Sequence, residues 1–535
     1  MATADLRHVP DTDDGFLPLF KRLAAARPER TFARFGERPL TLGQLDRSAT
    51  GLAAWLRDKG VEPEDRVALM LRNGEAALSM MLAIAHAGAI WVPITTLAVG
   101  DNLARILTDA EPRLVVADPD VLPAVSACGA NLRSPLLSSA GLLGEAQAAI
   151  ERSVPAEPAF AAPPADAPFA IMYTSGTTGR PRGVLVSHRM LRLAGEAVAL
   201  VSAASAGDVF YLWEPLFHIG GAQMLVLPLI RNVTLAMAER FSASRFWIDA
   251  HAAGATHIHY LGGILQMLLE QPPAPIDRLH GVRVAWGGGC PRDVWQAFRA
   301  RFGVEIRECY GMTECSSITT VNLSGTIGSV GRPVPWLDVA IIRPTGSPVD
   351  LGETGEIVVR ERLTGALTQG YYQDQVATDK AFAAGAFHTG DLGSFDAAGN
   401  MYFHGRMGDS VRVRGENVAA AEVEEVARQH PAIEDCAMIG VAAAVGEAEI
   451  KLFVALKRGA HLTAHELSDW LAMRLARFQR PRYIAIVDAF ARTGSQRIMK
   501  HKLSRRTDDA WDSAADARMA AGPPRAGARR PQNRA

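Results

Sequence analysis

Tyr173-Thr174-Ser175-Gly176-Thr177-Thr178-Gly179-Arg180-Pro181-Arg182-Gly183 combines four Ser/Thr hydroxyls, three glycines and two arginines in eleven positions. It follows a short apolar segment and precedes a helical pattern beginning near His188. Such a set suits a triphosphate, because glycine lets backbone N–H groups turn inward around an anion while the hydroxyls and guanidinium groups add donors. It is not the phosphate loop of GxxxxGK[ST] type, which would place Lys and then a hydroxyl at the start of the helix. The same composition also makes plain strand-to-helix turns, so the rest of the chain must decide.

A loop of this kind needs elements that hold it. β-rich runs at 66–71, 89–92, 113–117, 210–213, 256–261 and 282–286 alternate with helical patterns, which predicts parallel sheets covered by helices. Ligands of such sheets bind beyond the carboxyl ends of strands, where the loop, 214–221, 287–291 and 310–314 all fall. Between Val339 and Phe403 short strands with Gly-rich turns predict a small β unit. After Gly405 a third texture begins, with a helix over 422–429, strands at 436–441 and 451–456, and a capping-box spacing at Thr463 and Glu466. A domain boundary is expected at 405–409.

Composition narrows the partner. The 535 residues exceed one core and predict three or four structural units. With 56 basic against 57 acidic groups there is no global field for nucleic acid or an anionic membrane, so a small molecule is expected. Five scattered cysteines without CxxC spacing argue against a disulfide framework or structural zinc and fit a reducing cytoplasm. The apolar stretch 80–99 contains His86, Pro93, Thr95 and Thr96 and reads as a buried helix turning into a strand rather than a membrane span. From Arg518 the chain has five arginines and no acidic residue, the composition of a disordered tail.

Further motifs follow the loop in order: Pro215-Leu216-Phe217-His218, Gly288-Gly289-Cys290-Pro291, Tyr310-Gly311-Met312-Thr313-Glu314, His388-Thr389-Gly390-Asp391, and Gly405-Arg406 with Asp409, Arg412 and Gly415-Glu416-Asn417. Together these resemble the adenylate-forming superfamily of acyl-CoA synthetases, luciferases and peptide-synthetase adenylation domains, over about 16–503. The subgroup most resembled is that of crotonobetaine/carnitine-CoA ligases, through Ser242-Ala243-Ser244-Arg245-Phe246-Trp247, Gln271-Pro272-Pro273 and Arg414-Gly415-Glu416-Asn417-Val418.

The resemblance implies an α/β fold with a large N-terminal domain, 1–404, of two doubly wound sheets plus a small β-barrel. A smaller mobile α+β domain at 405–510 and a tail at 511–535 would follow. It also implies a reaction with ATP, Mg2+ and coenzyme A in which a carboxylic acid becomes an acyl-adenylate and then a thioester. Thr174, Ser175, Thr177 and Thr178, with the backbone of Gly176 and Gly179 and the cation of Arg182, would hold the β- and γ-phosphates. Thr313 would contact the α-phosphate and Glu314 would hold Mg2+. Tyr310, beside Gly311 and Met312, would stack on adenine opposite Gly288, Gly289 and Cys290, and Asp391 and Arg406 would hold the ribose. His218 would orient the acid and gate its tunnel; it needs no general-base role, because a carboxylate nucleophile is already ionised. Asp409 matches the hinge of the smaller domain, and Gly415 would line the thiol path.

One position departs from the family. Where it carries Lys near the carboxyl end, this chain reads Thr493-Gly494-Ser495-Gln496-Arg497-Ile498-Met499-Lys500, so Arg497 or Lys500 must supply the adenylating cation. Arg182 similarly stands where the phosphate loop normally has Lys, and Arg also binds phosphate well. Trp213, Glu214, Tyr260 and Trp286 are candidates to face a cationic acid, or else core residues. His257 and His259 are expected to be buried, satisfied histidines. The leading reading is an AMP-forming acid–CoA ligase for a small or medium organic acid. The alternatives are an enzyme that loads a carrier protein and a catalytically weak nucleotide or acyl-adenylate binding protein. The sequence does not give the acid or the oligomeric state, a homodimer included.

Overall fold

The computed structural model describes residues 8–13, 15–130, 134–152, 162–175, 181–407, 410–413, 416–442, 448–475, 477–492 and 497–515. The described chain divides into two compact units, one running to Phe403 and the other starting at His404.

The first unit is built on two large sheets. One has six strands in the order Leu136–Ser138, Leu114–Ala117, Arg66–Met70, Ile90–Pro93, Pro168–Ser175 and Pro181–Ser187. All neighbours are parallel except the last pair, which forms an antiparallel hairpin. The other has nine strands, with Glu305–Tyr310, Val284–Gly288, His257–Leu261, Val209–Leu212, Thr234–Met237 and Thr31–Phe35 parallel in that order and short antiparallel strands at each edge. Ile90–Pro93 and Leu114–Ala117 are buried at every residue, as strands covered on both faces must be. The six β-rich runs expected from the sequence are strands of these sheets, each within two residues of its expected bounds.

One contiguous core joins the sheets, from Phe169 and Val184 on one to Phe210, Leu212 and Trp286 on the other. The helix His188–Ser202 runs through it, started by Ser187, whose hydroxyl accepts the Met190 N–H at 3.1 Å. Val226 lies 2.5 Å from where a Cβ on Gly195 would sit, so only glycine fits that turn of the helix. The apolar stretch 80–99 is the helix Glu75–His86 followed by the strand Ile90–Pro93, and no described helix is long and apolar enough to cross a membrane. The small β unit is an antiparallel sheet containing Leu337–Ile342, Gly355–Glu361, Ala386–Phe395 and Phe382–Ala383.

The second unit has a four-stranded sheet in the order Ile433–Ala442, Ala448–Leu456, Tyr483–Val487 and Trp511–Asp512, covered by the helices Ala420–Arg428 and Ala464–Ala472. Thr463 and Glu466 form the expected capping box. Lys451, on the second strand, is fully buried; its Nζ donates to the carbonyls of Ser504 and Arg506 at 3.2 and 2.7 Å and to the Asp509 carboxylate. Trp511 and Asp512 therefore belong to the folded unit rather than to the tail expected from 511. The composition-based tail from Arg518 lies outside the described residues.

Candidate active site

The two strands flanking the Gly/Ser/Thr loop pair in register, Thr174 opposite Arg182 and Tyr173 opposite Gly183. The stretch thus lies between two paired antiparallel strands rather than leading directly from strand to helix. Directly opposed residues share a face, so a hydroxyl and a guanidinium flank the turn together. Its tip, with Gly176, Thr177, Thr178 and Gly179, lies outside the described residues, as does the side chain of Ser175. The Tyr372 N–H donates to Gly183 O at 2.7 Å, and the Arg182 guanidinium lies 5.6 Å from the centre of the Tyr371 ring.

Tyr371 links this hairpin to the acidic motif. Its hydroxyl donates to Glu314 Oε1 at 3.1 Å, and the Thr368 N–H donates to Glu314 O at 2.8 Å. Glu314 sits with Thr313 in a buried 3-10 turn that follows Tyr310, Gly311 and Met312. A Cβ on Gly311 would fall 1.9 Å from Ser317 O, so the turn requires glycine there. Burial, the Glu314 charge and the bond to it push the Tyr371 phenol well above its usual value, so it stays a donor.

Tyr310 ends the strand Glu305–Tyr310 and points its hydroxyl at Asp391 Oδ2, 2.8 Å away. The Asp391 N–H is held at 3.0 Å by Thr389 Oγ1, which in turn donates to Ile357 O, so the small sheet fixes the carboxylate. Phe403 stacks on Tyr310 with ring centres 5.5 Å apart. Burial and the neighbouring Asp391 charge push the Tyr310 phenol far up.

On the adjacent strand, Gly288 leads into Gly289, in the left-handed region at φ +92°, and Cys290. The N–H groups of Gly289 and Cys290 both donate to Glu308 Oε1, at 2.5 and 3.0 Å, while the Tyr260 hydroxyl donates to Glu308 Oε2 at 2.5 Å. Glu308 is 4 % exposed, and burial raises its carboxyl to about 7 against the pull of those three donors.

His218 caps the short helix Ile219–Ala222 and is exposed, with its carbonyl accepting the N–H groups of Gly221 and Ala222. Trp213, Tyr260 and Trp286 are core residues: Trp213 Nε1 donates to His259 O at 2.9 Å, and Tyr260 is committed to Glu308. Glu214 is buried 2.6 Å from His259 Nδ1. His257 is satisfied, with Thr256 Oγ1 at 2.8 Å from Nδ1 and Ser202 O at 3.1 Å from Nε2. All five cysteines are free thiols.

The structure thus brings Thr174, Arg182, Thr313 and Glu314 together through Tyr371, and joins Tyr310 to Asp391. Gly289 and Cys290 are joined to the Tyr310 strand through Glu308. Tyr371 and Glu308 are the residues that sequence reasoning missed. Glu308 was within reach, since it stands two positions before Tyr310 and strand alternation puts both on one face. Tyr371 had no comparable signal.

The second unit contains Arg406, Arg497 and Lys500. Asp409 and Gly415 lie outside the described residues. An isolated antiparallel bridge pairs Arg492 with Ile498, and Arg497 is exposed. Lys500 Nζ lies 2.9 Å from Glu424 Oε1, the oxygen that also accepts the Met438 N–H at 2.7 Å.

The sequence profile of AMP-binding enzymes matches residues 20–372, and that of the AMP-binding enzyme C-terminal domain matches 422–497. The chain belongs to this family of adenylate-forming enzymes. Over 519 residues it is 30% identical to a medium/long-chain-fatty-acid–CoA ligase of Mycobacterium tuberculosis, covering 92% of this chain and 86% of that one. A crotonobetaine/carnitine–CoA ligase of Salmonella paratyphi A is 29% identical over 491 residues, 87% of this chain and 93% of that one. The ATP-bound structure of MatB from Rhodopseudomonas palustris superposes with a TM-score of 0.82 at 27% identity, over 91% of this chain and 97% of that one. This chain is an enzyme, an acid–thiol ligase of the acyl-CoA synthetase type.

Proposed function

We propose that this ligase activates a small or medium organic acid with ATP and passes the acyl group to coenzyme A, using the site residues in the following roles. The acid's carboxylate attacks the α-phosphorus and pyrophosphate leaves; the thiol of coenzyme A then attacks the acyl carbon and AMP leaves. In the first step the protein's work is positioning and charge neutralisation. Thr174 and Arg182 contact the terminal phosphates, Thr313 the α-phosphate and Asp391 the ribose. His218, exposed at the start of its helix, orients the acid.

The donor set at Glu314 fits Mg2+. A hard cation that keeps most of its water needs one carboxylate plus phosphate oxygens, and among the described residues no group of three or more His, Cys, Asp or Glu forms a cage for another metal. When bound there, the ion would neutralise charge on the phosphate oxygens. Tyr371, hydrogen-bonded to Glu314 Oε1, holds the carboxylate in place.

The observation that carries the reading is the continuous link from the hairpin through Tyr371 to Glu314, with Tyr310 and Asp391 joined beside it. Arg497, exposed at the position where the family carries Lys, is taken as the adenylating cation, and Lys500, paired with Glu424 within its own unit, as the competing candidate. ATP–pyrophosphate exchange over a panel of aliphatic, aromatic and hydroxy acids tests the activity; ATP binding without exchange for any acid would refute it. Arg497→Ala should slow exchange at least about tenfold, roughly 1.4 kcal/mol of barrier, while thioester formation from synthetic acyl-adenylate persists. Lys500→Ala should lower the melting temperature and spare exchange. The opposite pattern would reassign the cation.

A further inference from the structure

Two consecutive N–H groups, those of Gly289 and Cys290, converge on one buried carboxylate oxygen, while a tyrosine hydroxyl from a third strand occupies the other. Glu308 therefore ties together the strands His257–Leu261, Val284–Gly288 and Glu305–Tyr310 where their carboxyl ends meet the site. A buried charge at this place is costly, and a glutamine of the same shape would accept from the same two N–H groups. An ionised carboxylate holds them harder, since hydrogen bonds to a charged acceptor are the stronger kind.

We propose that Glu308 is a positioning residue for nucleotide binding, whose carboxylate fixes the backbone of the Gly288–Cys290 loop in the shape that receives adenine. The inference rests on the proposed placement of adenine between this loop and Tyr310. Every group that now touches the Glu308 oxygens is a donor, so a proton added to Oε2 competes with the Tyr260 hydroxyl for the same space. The titratable groups around it are Tyr260 on one neighbouring strand, Cys290 on the loop with Asp293 beyond it, and Cys309 beside it with Glu214 beyond. None of these is a cation, so nothing among them offsets the charge. The loop is held firmly when Glu308 is ionised and loosens when it is protonated, and burial places that change at about 7.

The test is calorimetric binding of adenosine, whose base and sugar do not titrate near neutrality, to the full-length protein between about pH 6 and about pH 8. For the wild type the dissociation constant should rise at least about threefold on acidification; for Glu308→Gln it should be flat with pH. Glu308→Ala, which leaves the buried Cys290 N–H and the part-buried Gly289 N–H without their acceptor, should weaken adenosine at least about tenfold at every pH. A glutamine variant that keeps the wild-type pH slope would overturn the assignment, as would an alanine variant that binds as tightly as the wild type. Wild-type protein that binds ATP but no adenosine would refute the role in receiving adenine and leave the ligase reading standing. A ligase shown inactive that still reproduced the adenosine pattern would support the assignment alone.

Discussion

Glu308 and His188 are both buried, yet burial moves their proton affinities in opposite directions, because it penalises whichever form is charged. Glu308 rises to about 7 and His188, packed between Phe16 and Phe169, falls to about 4. For His188 the native state binds fewer protons than the unfolded chain, so its contribution is present above the unfolded value of 6.5 and is lost as pH falls through about 4. For Glu308 the native state binds more, so its contribution is full below 4.5 and is lost as pH rises through about 7. Each shift is worth up to about 3 kcal/mol. Denaturation across pH should show Glu308→Gln gaining stability over the wild type as pH rises from about 5 to about 8, and His188→Gln losing less than the wild type on acidification. Parallel profiles would contradict both assignments. The sequence made most site residues legible because their order is a motif, whereas Tyr371 acts only through a contact made across the fold, and nothing in its local pattern announces that contact.

At the scale of elements, close approach of strands is what shapes the site. A Cβ on Gly287 would fall 1.9 Å from Tyr260 O on the paired strand, and no side chain moves to relieve a clash with backbone. Gly287→Ala should cost about 2 kcal/mol or more of stability and raise the KM for ATP, read by thermal unfolding and steady-state kinetics. An unchanged melting temperature would mean that the two strands are not packed as described. Six of the parallel strands were legible as short β-rich runs alternating with helical patterns, whereas runs such as Thr31–Phe35 and Thr234–Met237 were not picked out. The antiparallel strand pair flanking the Gly/Ser/Thr loop was not legible, because Pro181 to Ser187 mixes polar and apolar residues and its partner strand identifies it only in three dimensions.

For the whole molecule, the chain has two compact units and the proposed reaction has two half-reactions. The resemblance of Asp409 to the family's hinge predicts that Asp409→Pro, which restricts φ to about −65°, slows one half-reaction at least about tenfold and leaves the other within about twofold. Pyrophosphate exchange and thioester formation from synthetic acyl-adenylate, measured separately, decide it: equal losses in both would remove the hinge role. The texture change near Gly405 was visible in the sequence, but the extent of the smaller unit was not, since a two-residue strand at Trp511 carries no periodicity. The socket around Lys451 bears on a hazard of this chemistry. Acyl-adenylates that escape an enzyme acylate amines they meet, and lysines on the outside, such as Lys59 and Lys502, are open to such labelling. With no accessible surface and its ammonium shared among Ser504, Arg506 and Asp509, Lys451 should stay unlabelled where the outer lysines are acylated, which leaves the fastening of the carboxyl-terminal segment intact.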